Sequence, residues 1–366
     1  MNIFTIFHIN LCYSSIEENQ RLKIINKCYW PLLKIIEKLK IPVGIEATGF
    51  SLEEIKKRDK KFIEKLKLLI NKNYCEFIGS GYCQIIAPLV PAKVNEYNLK
   101  IGNEIYSKIL NIKPKIALVN EQVFSSSIVK NYLSNGYKTL ILDWDNFINI
   151  NKKINKNFFY YPQKVLDVKN EINIIWSSSI IFQNFQKYVQ GEISLNEYIK
   201  ILNIKKTNLK KSSMCIYASD LETINNRTNR YSNEVKIEQD EWHKVELLFK
   251  KFIENKYKFI RPSDILLVKK NSNSFKKLKF NNAAFPSITK KQDKYNIVRW
   301  AVTGRNDNKI NTDCWKIYTF LKTKKKLIYW KKLCYFWSSD FRTHITYKRW
   351  KKYLKDLHLF KKKINV

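Results

Sequence analysis

Carboxylates, amides and tryptophans recur along this chain at the ends of short apolar runs. His8 and Asn10 close the first run, Glu46 lies in the second and Glu76 in the third. Asn120 and Glu121 end the fourth, Asp143 and Trp144 the fifth, Trp176 the sixth, and Asp220 and Glu222 the seventh. Taken singly, a carboxylate at such a place most simply caps the helix that follows, because its oxygens accept from unpaired first-turn amides. Several converging on one opening, interleaved with tryptophan, point instead to sugar chemistry. Paired carboxylates do acid/base and nucleophilic work at a glycosidic bond, and aromatic rings stack on sugar faces.

Other chemistries lack parts. The four histidines, His8, His243, His344 and His358, include no pair at metal-ligand spacing, so neither a metal nor another cofactor is expected. No GxSxG elbow is present, and no GxGxxG or GxxxxGK[ST] loop follows an apolar run. Cys12, four residues after His8, has no evident orienting partner for a thiol nucleophile.

For the polar residues to meet, the runs carrying them must lie side by side. Strands are expected at Ile3–Ile9, Pro42–Thr48, Tyr74–Gly79, Lys115–Asn120, Lys138–Asp143, Ile172–Trp176 and Met214–Ser219, with a short one at Tyr257–Ile260. Amphipathic stretches separate them. Leu22, Ile25, Tyr29, Leu32, Ile36 and Leu39 recur at helical spacing behind a capping-box pattern at Ser15, and a second helix is expected to start at Ser51. Alternating strands and helices make an α/β fold with a parallel sheet. Seven such units suit a TIM-like barrel, complete or short by one strand, whose active site lies at the C-terminal ends of the strands. An open doubly wound sheet is the alternative. The pattern changes after Arg261-Pro262-Ser263, so residues 1–268 are read as the barrel and 269–366 as a helical region. Trp315, Trp330, Trp337 and Trp350 there are expected to pack on the barrel, with Trp337, Asp340 or His344 at the rim of its cleft.

The 366 residues allow one large domain with an appendage, and 45% hydrophobic content excludes wholesale disorder. No apolar stretch approaches the roughly 20 residues of a membrane span, and no signal peptide is legible at the N-terminus. Seven cysteines without a CxxC pair read as reduced, buried thiols, which points to the cytoplasm. The formal charge of +36 is mostly lysine, spread along helices among abundant Asn and Ile. Compositional drift and solubility account for it, and no nucleic-acid motif accompanies it. Two alternatives stay open beside an enzyme: a carbohydrate-binding barrel without turnover, and a basic partner of anionic polysaccharide or nucleic acid.

The motifs resemble those of glycoside hydrolase family 57. Phe7-His8-Ile9-Asn10 occupies the place of the family's N-terminal histidine motif, with His-Ile-Asn for the common His-Gln-Pro. Cys75 to Tyr82 resembles its second conserved region, Ala117 to Gln122 the third and Tyr217 to Glu222 the fourth. Gly79 to Gln84, Trp176 to Ile180, Arg299 to Val302 and Leu333 to His344 are similar to an uncharacterised branch of the family. The resemblance implies an incomplete (β/α)7 TIM-like barrel with a helical C-terminal region. It also implies retaining cleavage or transglycosylation of α-linked glycans, with Glu121 as nucleophile and Asp220 as general acid/base. His8, Asn10, Glu46, Glu76, Gln84, Asn120, Asp143, Trp144, Trp176, Glu222, Trp337 and Asp340 are then the expected contacts to an oligo- or polysaccharide. The related polysaccharide deacetylases need a paired-histidine metal site that this sequence lacks.

Overall fold

The apolar runs become strands where β-branched residues crowd together, and the computed structural model describes residues 1–13, 15–167, 169–205, 209, 212–227, 236–237, 240–267, 277–278, 297–342 and 345–366. The strands are β1 (Asn2–Ile9), β2 (Val43–Ala47), β3 (Cys75–Ile78), β4 (Ile116–Leu118), β5 (Thr139–Asp143), β6 (Gln163–Leu166), β7 (Glu171–Ser177), β8 (Ser213–Asp220), β9 (Lys258–Phe259) and β10 (Lys277–Leu278). One sheet runs β3-β2-β1-β8 and the other β7-β5-β4, all neighbours parallel. A parallel bridge between Gly79 and Ala117 joins them. Among the described residues no ladder joins β7 to β8, so seven strands form an incomplete (β/α)7 barrel. At the free edge β6 pairs antiparallel with β7 and carries β10.

Alternation along the strands separates two cores. Phe4 and Ile6 of β1, Ile78, Ile116, Leu118, Ile141, Ile175, Cys215 and Ala218 form one buried cluster, which fills the barrel interior. Their neighbours of opposite parity join the larger cluster between strands and helices. Ile260 and Ile265, on the segment after β9, close the interior cluster at the N-terminal end.

Helix starts differ from expectation by a few residues. The first helix begins at Glu18, and its capping box is made by Glu17 and Gln20 rather than from Ser15. The second begins at Gly49, because Thr48 at the end of β2 accepts from the Ser51 amide. Gly81 takes φ +100°, and a Cβ on the facing Gly102 would stand 2.6 Å from the Gly81 carbonyl carbon. This close approach seats the helix Ala92–Leu110 against the loop after β3.

The C-terminal helices Asp307–Leu321, Leu327–Phe336 and Tyr347–Lys363 pack on that side of the barrel. Trp330 is fully buried and stacks on Tyr97 at 4.0 Å, and Lys331 pairs with Glu53. Trp337 and Trp350 are buried, but Trp315 is 47% exposed, touching Trp337 and Tyr318 only by its ring edges. The boundary expected at 268/269 lies outside the described residues, as does His344. β10 lies past that point and still pairs with β6.

Candidate active site

On each of the seven strands the last interior position is followed, two residues later, by a polar one at the C-terminal mouth. Ile6 is followed by His8, Gly44 by Glu46, Ile78 by Ser80, Leu118 by Asn120, Ile141 by Asp143, Ile175 by Ser177 and Ala218 by Asp220. Period-two alternation therefore builds the ring directly. His8 is in register with Glu46 on one side and Asp220 on the other.

Asp220 reaches this ring because β8 is not regular. Its register against β1 shifts between Phe4 and Thr5, so Cys215 faces Phe4 and Tyr217 faces Thr5, with Ile216 as the extra residue. Ile216 and Tyr217 both join the outer cluster, while Cys215 and Ala218 stay inside. Strict alternation from Cys215 would send Asp220 outward, and the bulge restores its inward parity.

The ring is knit by hydrogen bonds. His8 Nδ1 lies 3.1 Å from Glu46 Oε2, and the Ser80 hydroxyl donates to Glu46 Oε1. Asn120 donates from Nδ2 to the carbonyl of Ser80 at 3.0 Å, while its buried Oδ1 has no partner among the described residues. Glu121, half-buried, follows at φ +51° and ψ +10°, and Gln122 also has positive φ, at +57°. Two successive non-glycine residues in the left-handed region cost about 1–3 kcal/mol each, which is typical of backbone held for function. The Glu121 side chain takes a hydrogen bond from the Ser339 hydroxyl.

On the acid side, the Asn10 amide donates to Glu222 Oε1 at 2.6 Å and the Tyr29 hydroxyl donates to the same oxygen. Asn10 Nδ2 donates to Asp340 Oδ1 at 2.7 Å. Burial, then the charge of Asp220, pushes the Glu222 carboxyl well above the ordinary range, and burial also raises Asp340. Tyr29 lies at the end of a π-helical stretch, Ile25–Tyr29, an irregularity frequent at functional sites.

Several expected contacts stand elsewhere. Glu76 has inward parity but sits at the N-terminal end, where its Oε2 accepts from the Ser263 amide at 2.7 Å. It fastens the floor of the barrel instead of lining the mouth. Trp176 has outward parity and packs with Trp144 at 5.2 Å and Phe147 at 4.8 Å in the strand–helix core, so neither tryptophan offers a face to sugar. Trp337 is likewise buried, with Nε1 donating to Asn311. Glu222 is completely buried and Asp340 nearly so, and both act behind the surface of the mouth. Asp143 belongs to the ring yet caps the helix Trp144–Ile150, accepting from the Asp145 amide at 2.7 Å. Gln84 is half-buried, and its carbonyl accepts from the Ser339 amide. Ser80, Tyr29 and Ser339 are the participants that sequence reasoning missed. Ser80 was available from the same two-residue step; Tyr29 resembled any apolar-face residue, and Ser339 lies within the Leu333–His344 stretch but nothing there set it apart from Trp337 and Asp340. Among the described residues no group of three or more His, Cys, Asp or Glu is placed to hold a metal ion. A groove of about 770 Å³ lined by Lys100, Asn103, Lys108 and Lys115 lies on the opposite, N-terminal side and is not this site.

The fold is an incomplete parallel barrel with carboxylates gathered at its C-terminal mouth. Residues 4–288 match glycosyl hydrolase family 57, and the chain belongs to that family. It is 28% identical over 135 residues to alpha-amylase 1 of Dictyoglomus thermophilum, covering 36% of this chain and 20% of that protein. Against the alpha-amylase of Pyrococcus furiosus it is 22% identical over 137 residues, 37% of this chain and 21% of that one. The chain thus spans about a fifth of the length of these curated relatives. Its fold is similar to the 4-alpha-glucanotransferase of Thermococcus litoralis (TM-score 0.70, 13% identity, 91% of this chain and 55% of that one). It is also similar to the family 57 branching enzyme of Pyrococcus horikoshii (TM-score 0.67, 13% identity, 97% and 87%).

Proposed function

We propose that this chain is a retaining glycosidase or transglycosylase acting on α-linked glucans. The observation that carries this reading is the pair of irregularities at the mouth: the bulge that brings Asp220 inward beside His8, and the left-handed turn that holds Glu121 after β4. Both deviations cost stability, and both serve carboxylates. The substrate class is supported by the relatives, whose names are amylase, glucanotransferase and branching enzyme.

Glu121 attacks the anomeric carbon as the glycosidic C–O bond breaks, and Asp220 gives its proton to the leaving oxygen. A covalent glycosyl-enzyme results. Asp220, now ionised, takes a proton from water or a sugar hydroxyl, whose oxygen attacks the same carbon and frees Glu121. Glu222, buried behind Asp220, is pushed up by that burial and by the charge of Asp220, so this second carboxyl holds its proton beside the first. His8, Asn10, Gln84, Asn120 and Asp143 are the proposed contacts or supports for sugar hydroxyls. The seven free, buried cysteines support a reducing, cytoplasmic setting. Incubation with a linear maltooligosaccharide of about seven units should yield shorter products by hydrolysis, or longer and shorter ones by transfer, and Glu121→Gln should abolish both. Products formed equally by Glu121→Gln would refute the reading.

A further inference from the structure

Ser339 and Glu121 lie 218 positions apart in sequence, yet Ser339 Oγ donates to Glu121 Oε1 at 2.9 Å. The turn that carries the serine is fixed from several directions. Ser338 forms an antiparallel bridge with Ile85, and the Ser339 amide donates to the Gln84 carbonyl at 2.9 Å. Asp340 accepts from Asn10 at the end of β1 and from the Ser338 hydroxyl, each at 2.7 Å. Arg342 donates to the Trp300 carbonyl at 2.9 Å and to Asp307 at 3.3 Å, all of it buried. Ser339 itself is buried, so its rotamer is fixed by packing as well as by its hydrogen bond. The carboxylate it meets follows a strained backbone, whose side chain needs a restraint from outside its own loop.

We propose that Ser339 is the positioning residue of the nucleophile: its hydroxyl holds Oε1 of Glu121. This rests on the reading of Glu121 as nucleophile. Ser339 does not touch the reacting carbon. It fixes the plane of the carboxylate, and the C-terminal region thereby takes part in the chemistry of a barrel built by the first 220 residues.

The test uses an α-gluco-configured cyclitol epoxide, which alkylates a glycosidase nucleophile without requiring the natural glycan. Peptide mapping of the inactivated wild-type chain should find the label on Glu121. Ser339→Ala should slow inactivation about 10- to 100-fold at saturating epoxide, with the half-saturating concentration within about threefold of wild type. Ser339→Thr, which keeps the hydroxyl, should recover most of the rate. Equal saturating rates for Ser339→Ala and wild type, with the label on Glu121, would overturn the positioning role alone. A label on another carboxylate, or none, would overturn the nucleophile assignment itself. If Ser339→Ala and Ser339→Thr lose rate equally, the hydroxyl is not the cause and the proposal fails.

Discussion

Glu46 Oε2 lies 3.1 Å from His8 Nδ1, across adjacent strands in direct register. Its other oxygen takes the Ser80 hydroxyl, so the carboxyl ties the ends of β1, β2 and the loop after β3 together. With Nδ1 engaged, the proposed contact to a sugar hydroxyl would use Nε2. Glu46→Leu removes an acceptor from two donors, and a buried donor left unpaired costs about 1–3 kcal/mol. Urea unfolding should show a loss of about 2–4 kcal/mol, whereas Glu46→Gln, able to satisfy one donor, should lose less. Equal stability of Glu46→Leu and wild type would mean that this bridge does not hold the mouth.

Asp143 gives a pH signature with a defined sign. Burial, then the charge of Asp145, raises its carboxyl from the ordinary 3.8 to about 6. The folded state therefore binds its proton more tightly than the unfolded chain. That contribution is complete below about pH 4 and is lost as pH rises through 6, about 3 kcal/mol in all. Asparagine caps a helix as well as aspartate does, so Asp143→Asn keeps the cap and removes the titration. The stability difference, variant minus wild type, should rise by about 2–3 kcal/mol between pH 4 and pH 7 in parallel denaturant titrations. A difference that stays flat over this range contradicts the assignment.

Arg342 and Asp307 form a buried pair 3.3 Å apart beneath the Ser338–Arg342 turn, and Asp307 Oδ2 has no hydrogen-bond partner among the described residues. Burial pushes Asp307 up to about 6 even with the arginine beside it. Arg342→Met strands that carboxylate and should cost about 3–5 kcal/mol at neutral pH. Adding Asp307→Asn should return part of the loss, since the stranded charge is gone. A double variant no more stable than Arg342→Met would assign the loss to the contacts with Trp300 and Asn311 instead.

Much of this arrangement was legible. The seven barrel strands announced themselves as β-branched runs bounded by polar residues, and His8, Glu46, Asn120, Asp143 and Asp220 fall where the alternation puts them. What escaped has physical reasons. β6, Gln-Lys-Val-Leu, is short and half polar because it pairs only on the free edge, and β10 contributes two residues. The bulge at Ile216 adds one apolar residue to an apolar run, which leaves no trace in composition but decides where Asp220 faces. Glu76 has the right parity and the wrong height, four residues before Ser80, which reaches the mouth just past the end of the same strand. Trp144 and Trp176 as sugar contacts, and Trp337 at the rim, are natural expectations because aromatic rings near carboxylates serve both binding and core, and burial alone separates the two. The contact between Ser339 and Glu121 is long-range and belongs to packing, which no local pattern encodes.

The division of labour between Glu121 and Asp220 is tested most directly by the stereochemistry of azide rescue. With an activated aryl α-maltooligosaccharide, Asp220→Ala should still form the glycosyl-enzyme, and azide should release it as the α-glycosyl azide, with net retention. Glu121→Gly leaves a space in which azide itself attacks, so the product should be the β-glycosyl azide, with inversion. Retention with one variant and inversion with the other is the predicted result. The same anomer from both, or wild-type rates without azide in either, would contradict the assignment of nucleophile and acid/base.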